Sequence, residues 1–355
     1  MKVVRTILFI INALVALALV LTTLAGTVAP STSIIPSLLA FGYVPMLALN
    51  VLCVVVWALM GRWELLLSVA AIAARWTMLG LFLQVGGTSK MPDRAEHPQM
   101  VSLMTYNLHL FRGSDAEPAS SDDNARRFLA LVREQQPDVL CLQEYAAPKS
   151  VAVTDSLELA GYNHYFGTHT SRTGVPYGTV VFSRLPITYV NRIDGEKLMV
   201  ELLCEGQRLR VVCLHMDSYR FDDADREEIE RLRHGDVSDT SRRTMAKVKE
   251  TILSHEYEWN NSISAVVTET TVPTVVAGDL NDIPSSWLYA RLSENLTDTY
   301  CEQGSGFCPT YNGGFPAFRI DNIFRSEGLR TLSYRRVRTD ISDHYPVLVA
   351  LEFEP

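Results

Sequence analysis

The chain has 355 residues, 47% of them hydrophobic, with 32 basic and 40 acidic side chains and six cysteines. That length allows a membrane region and one large domain, and residues 91–355 carry 27 basic against 39 acidic side chains. An acidic domain is a poor electrostatic trap for a polyanion, because affinity for nucleic acid comes from cationic contacts to phosphate, and no Cys/His spacing suggests a zinc site.

Three apolar runs come first. Val3–Leu24 is flanked by Lys2 and Arg5, Pro36–Leu59 contains Pro45, and Glu64–Val85 is interrupted by Arg75. Each approaches the ~20 residues a bilayer needs. Together they predict a multi-pass membrane region over residues 1–87 with about three transmembrane helices. Basic residues before the first run put the N-terminus in the cytoplasm, so three crossings would leave the large C-terminal domain periplasmic or extracellular. If the third run does not cross, that domain would be cytoplasmic. The first run also has the features of a signal peptide, with small residues near Ala29. A charge in mid-span is costly, so Arg75 is expected to snorkel, to face a neighbouring helix or to meet a lipid headgroup. Residues 88–100 read as a polar, Pro-containing linker.

The domain at 101–355 reads as alternating strands and helices. Val101–Asn107 is a strand, Ser121–Gln135 a helix, Asp138–Gln143 a strand and Thr154–Ala160 a short helix. Tyr177–Ser183, Leu198–Leu203 and Leu209–Leu214 are strands, and Thr240–Glu258 is helical with apolar residues on one side. Val272–Gly278 is a strand, Ser285–Leu292 a helix, and Ile320–Phe324 and Val347–Phe353 end the series. Interleaved strands and helices fit an α/β sandwich. The charged stretch Asp222–Asp239 is expected to be a solvated loop or helix. Cys301 and Cys308 are a candidate disulfide in an oxidising compartment, and Cys141 and Cys213 are expected as buried small hydrophobes.

Polar islands end or follow the strand-like runs: Asn107, Gln143-Glu144, His215, Gly278-Asp279-Leu280-Asn281 and Ser342-Asp343-His344. Breaking a phosphate ester needs charge neutralisation at the phosphoryl oxygens, a positioned base for water and donors to the transition state. Glu144 is a hard oxygen ligand of the kind Mg²⁺ prefers, and Asn107 can add a carbonyl oxygen. His215 and Asn281 can donate to phosphoryl oxygen, and Asp279 can orient or deprotonate water. His344 needs a carboxylate on its far nitrogen, and Asp321 and Asp343 are both candidates.

The ordered set Asn107, Gln143-Glu144, Tyr177-Gly178 through Ser183, Leu214-His215, Gly278-Asp279-Leu280-Asn281, Arg319-Ile320-Asp321 and Ser342-Asp343-His344 resembles the endonuclease/exonuclease/phosphatase superfamily. The resemblance covers roughly 101–353. It implies a DNase I-like four-layer α/β sandwich, here preceded by transmembrane helices, and Mg²⁺ (or Mn²⁺) as cofactor. By motif it implies Asn107, Glu144 and Asp343 at the metal, and His215 and Asn281 on the scissile phosphate. Asp279 would act on the water and Asp321 would orient His344. Tyr177 is a further candidate substrate contact. His109, His164, His169 and His255 are expected as surface or loop residues.

These readings lead to a membrane-anchored phosphohydrolase acting on a phosphodiester or phosphomonoester of a lipid or small phosphorylated molecule. Two alternatives stand beside it: a nuclease, disfavoured by the acidic domain, and a non-catalytic membrane receptor that retains the fold.

Overall fold

The computed structural model describes residues 2–113, 119–167, 177–194, 196–221, 225, 239–268, 271–312 and 318–354. The chain divides into two units. One comprises Met1–Phe82, Ser218–Tyr257 and Ile283–Arg291, the other Leu83–Asp217, Glu258–Asp282 and Leu292–Pro355.

In the first unit, α1 (Lys2–Leu21) is apolar and continues as a short 3₁₀ turn to Gly26. It is the one described helix long and apolar enough by itself to cross a bilayer. The second apolar run is broken into α2 (Ile35–Phe41) and α3 (Tyr43–Leu59), which meet at a 65° bend. The cause is Pro45, which has no N–H for the Phe41 carbonyl four residues back and whose ring clashes with it. The third run, Glu64–Val85, is not one continuous helix: a turn, Trp76–Leu79, follows the break at Arg75. It forms α4 (Leu65–Ala74), a ten-residue helix about 15 Å long, which stops at Arg75. Arg75 therefore stands at a helix break.

Polar bonds fix the helix heights. Arg5 Nε donates to Glu64 Oε1 at 2.7 Å, Ser68 Oγ to Asn12 Oδ1 at 2.5 Å, and Tyr43 OH to the Arg75 carbonyl at 3.3 Å. Ala16, Leu19, Tyr43 and Ala71 form the buried cluster between them. Later segments of the same unit join beyond the end of α1. Arg291 Nη2 donates to the Gly26 carbonyl at 2.8 Å, Ser31 N and Oγ both donate to the Glu256 carboxylate at 2.6 Å, and Ser285 Oγ donates to the Ala40 carbonyl at 3.1 Å.

The second unit holds two six-stranded sheets. Its strands are β1 (Met100–Asn107), β2 (Val139–Tyr145), β3 (Asn163–Phe166), β4 (Gly178–Ser183), β5 (Ile187–Asp194), β6 (Lys197–Cys204), β7 (Gln207–His215), β8 (Thr274–Asp279), β9 (Thr297–Asp298), β10 (Asp321–Arg325), β11 (Leu329–Arg336) and β12 (Val347–Phe353). One sheet runs β11-β12-β1-β2-β4-β3, the other β9-β10-β8-β7-β6-β5. Each contains one parallel pair, β1 with β2 and β7 with β8, and is otherwise antiparallel.

Strands buried on both faces read as near-continuous apolar runs. Leu103, Cys141, Val181 and Val349 of one sheet meet Val200, Val211, Cys213 and Ile323 of the other. On the far side of the first sheet, Tyr106, Leu142 and Phe182 are covered by Phe128, Leu131 and Val132 of α5 (Ser121–Gln135). Ser120 Oγ accepts the Asp123 N–H and caps that helix. Beside the second sheet, Arg210 of β7 donates to the Val266 carbonyl at 3.2 Å, and the buried Lys197 of β6 pairs with Glu258. The unit is the DNase I-like α/β sandwich.

All six cysteines are free, so Cys301 and Cys308 are not joined. His255 is not a surface residue: it is buried in α6 (Asp239–Glu258) with its ring edge-on to Tyr219. His164 is half-buried on β3, and His169 lies outside the described residues. The charged stretch 222–239 also lies outside them, apart from Asp225 and Asp239. Asp225 is buried and accepts from Thr244 Oγ1 at 2.8 Å.

Candidate active site

The two parallel pairs position the polar islands. Parallel strands end on the same side, so Asn107 comes level with Gln143, and His215 with Asp279. The antiparallel β10 begins where β8 ends, which pairs Asp321 with Asp279. Ser342-Asp343-His344 immediately precedes β12, which runs antiparallel to β1. One rim of the sandwich thus collects side chains from six strand ends.

Local backbone devices then aim them. Between Leu142 and Tyr145 the pairing with β4 slips, and Glu144 takes the left-handed conformation at φ 47°. This bulge turns the carboxylate off the ladder. Gly278 has φ 153°, and a Cβ there would lie 1.9 Å from the Leu214 carbonyl oxygen, so only glycine lets β7 and β8 close at this point. Asn281 is also left-handed, at φ 48°, and its N–H donates to Asp279 Oδ1 at 2.8 Å. That is an Asx turn.

Two linked networks result. In the first, Asp321 Oδ2 accepts from His344 Nδ1 at 2.9 Å, and His344 Nε2 lies 3.8 Å from Asp279 Oδ2. Of the two carboxylates open as partners for His344, Asp321 is the one bonded to it. In the second, Asn107 Nδ2 reaches Asp279 Oδ2 at 3.0 Å and Glu144 Oε1 at 3.3 Å. Glu144 Oε1 in turn lies 3.7 Å from His215 Nε2. Asp279 belongs to both networks. Asp343 joins through Ser342, whose Oγ lies 3.2 Å from Asp343 Oδ1, donates to the Asn107 carbonyl at 2.8 Å and accepts the His344 N–H at 3.2 Å. Asn281 is turned the other way, with Nδ2 donating to the Met216 carbonyl at 2.9 Å. Its second N–H is still available. Tyr177 lies just outside β4 and is over a third exposed.

Sequence reasoning missed three residues. His109 is a site residue: its N–H donates to Asn107 Oδ1 at 3.0 Å, and its Nδ1 lies 3.3 Å from Asp343 Oδ1. Its place two residues after Asn107 was the available signal. Glu196 accepts from His215 Nδ1. It sits in the β5–β6 turn, and without β5 that turn was not recognisable. Ser342 was visible in its motif, but its double role was not. Arg319, although beside Asp321, faces away and is held by Asp298 at 2.8 Å and the Tyr300 ring at 4.4 Å.

The electrostatics follow from burial and charge. Burial alone would lower the pKa of His344, but Asp321 and Asp279 outweigh it and raise the imidazole to about 10. His215 is likewise pulled down by burial and held up at about 9 by Glu196, Asp279 and Glu144. Burial pushes the Asp279 carboxyl up, against the pull of His344. Five carboxylates (Glu144, Glu196, Asp279, Asp321 and Asp343) outnumber the three imidazoles of His109, His215 and His344 even when all three carry charge. His215 Nε2 and Asp321 Oδ1 are buried without a hydrogen-bond partner. Excess negative charge, hard oxygen donors and a half-exposed Glu144 fit a divalent cation. Asp279, Asp321 and His344 also bring donor atoms within 4.8 Å of one another, but the imidazole already links those two acids.

No curated protein matches the chain. Among solved structures it is similar to an endonuclease/exonuclease/phosphatase from Beutenbergia cavernae, at 22% identity, with 72% of each chain covered and a TM-score of 0.49. It is similar to one from Bacteroides vulgatus at 18% identity, covering 72% of this chain and 99% of that one, TM-score 0.49. The human Nocturnin catalytic domain with bound sulfate anion shares 16% identity over 75% of this chain and 100% of that one, also with a TM-score of 0.49. Residues 5–82 match a family described as a domain of unknown function. The profile of the Endonuclease/Exonuclease/phosphatase family matches residues 104–344, a span that runs from β1 to His344 and takes in every residue of both networks. The chain belongs to the endonuclease/exonuclease/phosphatase family.

Proposed function

We propose that this chain is a membrane-anchored, divalent-metal-dependent phosphohydrolase acting on a phosphodiester or phosphomonoester of a lipid or small phosphorylated molecule. The observation that carries the reading is the linked Asp321–His344–Asp279–Asn107–Glu144–His215 array at one rim. Family members hydrolyse phosphate esters, and this array has the groups that the chemistry requires.

Glu144, Asn107 and Asp343 would hold a Mg²⁺ or Mn²⁺ ion, which when bound neutralises charge on the phosphoryl oxygens. In this reading His344 is a proton donor and not a base, because Asp321 keeps it charged at neutral pH. Asp279 is the better base: burial raises its proton affinity, and bonds from Asn107 and Asn281 fix its direction. In this reading a water held against Asp279 loses a proton to the carboxylate and attacks phosphorus in line. His215 and the second N–H of Asn281 donate to the non-bridging oxygens, and His344 donates to the leaving or equatorial oxygen.

The membrane reading rests on α1 and on the bent α2–α3 pair. Arg5 and Glu64 mark one end of the unit, and Gly26, Ser31 and Ala40 bond to later parts of the chain at the other. With Lys2 and Arg5 on the cytoplasmic side, those later parts would lie outside. A C-terminal reporter active only in the cytoplasm should then give no signal.

The decisive assay uses the full chain in detergent with Mg²⁺, tested on a bis-aryl phosphodiester, sphingomyelin, inositol phosphates and plasmid DNA. Turnover of the small esters or lipid, abolished in His344→Ala, is expected. DNA cleavage alone would establish the nuclease, and equal rates in wild type and variant would end the catalytic reading.

A further inference from the structure

Among the described residues of the N-terminal unit, Arg75 is a buried charge without a hydrogen-bonded counterion. Within residues 1–90 the sole acid is Glu64, and Arg5 occupies its Oε1. Arg75 lies about 16 Å further along the chain, beside Tyr43 at the end of the unit where Leu19 of α1 packs. Its residue is 8% exposed, and Nε and Nη2 are both buried with no hydrogen-bond partner among the described residues. Those two nitrogens form the side-on edge of the guanidinium, the edge that grips a carboxylate or phosphate with two parallel N–H···O bonds. An unpaired buried cation carries a large desolvation cost, so such a site requires an anion.

Neighbouring residues indicate which anion. Trp76, the next residue, is 66% exposed, and exposed indoles belong at the headgroup level of a bilayer. Leu66, Leu67 and Val69 on the preceding helix are exposed apolar side chains. Arg75 therefore stands where a helix with exposed apolar side chains gives way to an exposed indole. We propose that Arg75 binds the phosphate of a membrane lipid headgroup through Nε and Nη2. This rests on the membrane-anchored reading of the chain and is independent of catalysis.

The test uses the full chain, stripped of lipid in neutral detergent. Native mass spectrometry is read after titration with phosphatidylglycerol, with diacylglycerol, or with inorganic phosphate alone. Phosphatidylglycerol adducts should persist on wild type, fall about 10-fold or more in Arg75→Gln as two charge-assisted bonds are lost, and be partly kept in Arg75→Lys. Thermal melts supply a second readout. Without lipid, Arg75→Gln should melt above wild type, because an unpaired charge is gone; with phosphatidylglycerol the order should reverse. Inorganic phosphate reproducing both effects would keep the anion site but make its source a free phosphate. Equal lipid retention by wild type and Arg75→Gln, with no reversal of melting order, overturns the proposal. Vesicle flotation of both proteins in that case would leave the membrane reading standing.

Discussion

His344 shows how a residue obtains its chemistry from its surroundings. An isolated histidine titrates near 6.5; here two acids move it to about 10. Because the folded value is raised, the stabilisation is fully present below pH 6.5 and is lost as pH climbs through 10. Denaturant midpoints of metal-free protein should fall between pH 6.5 and 10, and by less in His344→Gln. Kinetically, His344→Asn should lower kcat by about 10²–10⁴-fold, the range for a lost proton donor. Glu196 makes a separate prediction. It holds the His215 proton, so Glu196→Gln should lower that imidazole's pKa and move the alkaline limb of the pH–rate profile to lower pH. An unmoved limb would mean that Glu196 does not govern His215. Most site residues were legible because they stand at the ends of apolar runs. Glu196 was not, since it is defined by a partner distant in sequence, His215, and His109 offered only its place two residues after Asn107.

Among the elements, the strands found from sequence are the inner ones. In the two six-stranded sheets the four missed are β3, β5, β9 and β11, which are their edges. An edge strand is not buried on every side, so it tolerates polar residues and loses the apolar signal. β11, Leu-Arg-Thr-Leu-Ser-Tyr-Arg-Arg, illustrates this. Glycine in an inner strand carries the opposite information. Gly278→Ala should cost about 1–3 kcal/mol or more, because its Cβ would overlap the Leu214 carbonyl. The expected result is a lower melting temperature together with weakened activity, since Asp279 is the next residue. An unchanged melt would mean that the β7–β8 pairing is looser than described.

On the scale of the whole molecule, the division of the chain does not follow the order of its residues. Segments 218–257 and 283–291 pack with residues 1–82, so deleting the apolar N-terminus strips Ser31 from Glu256 and Gly26 from Arg291. A chain beginning at residue 88 should therefore melt lower, or elute as larger species on size exclusion, than the full chain in detergent; identical behaviour would contradict that packing. The sequence by itself determined the inner strands, α5, the apolar α1 and the family motifs, because periodic burial and short polar islands are local signals. Only the tertiary structure decided that Glu196 serves His215, that His109 meets Asp343, and that segments 218–257 and 283–291 join the N-terminal unit. Those outcomes depend on strand pairing and on buried charges finding partners far away in the chain, and such contacts leave no pattern in the residues on either side.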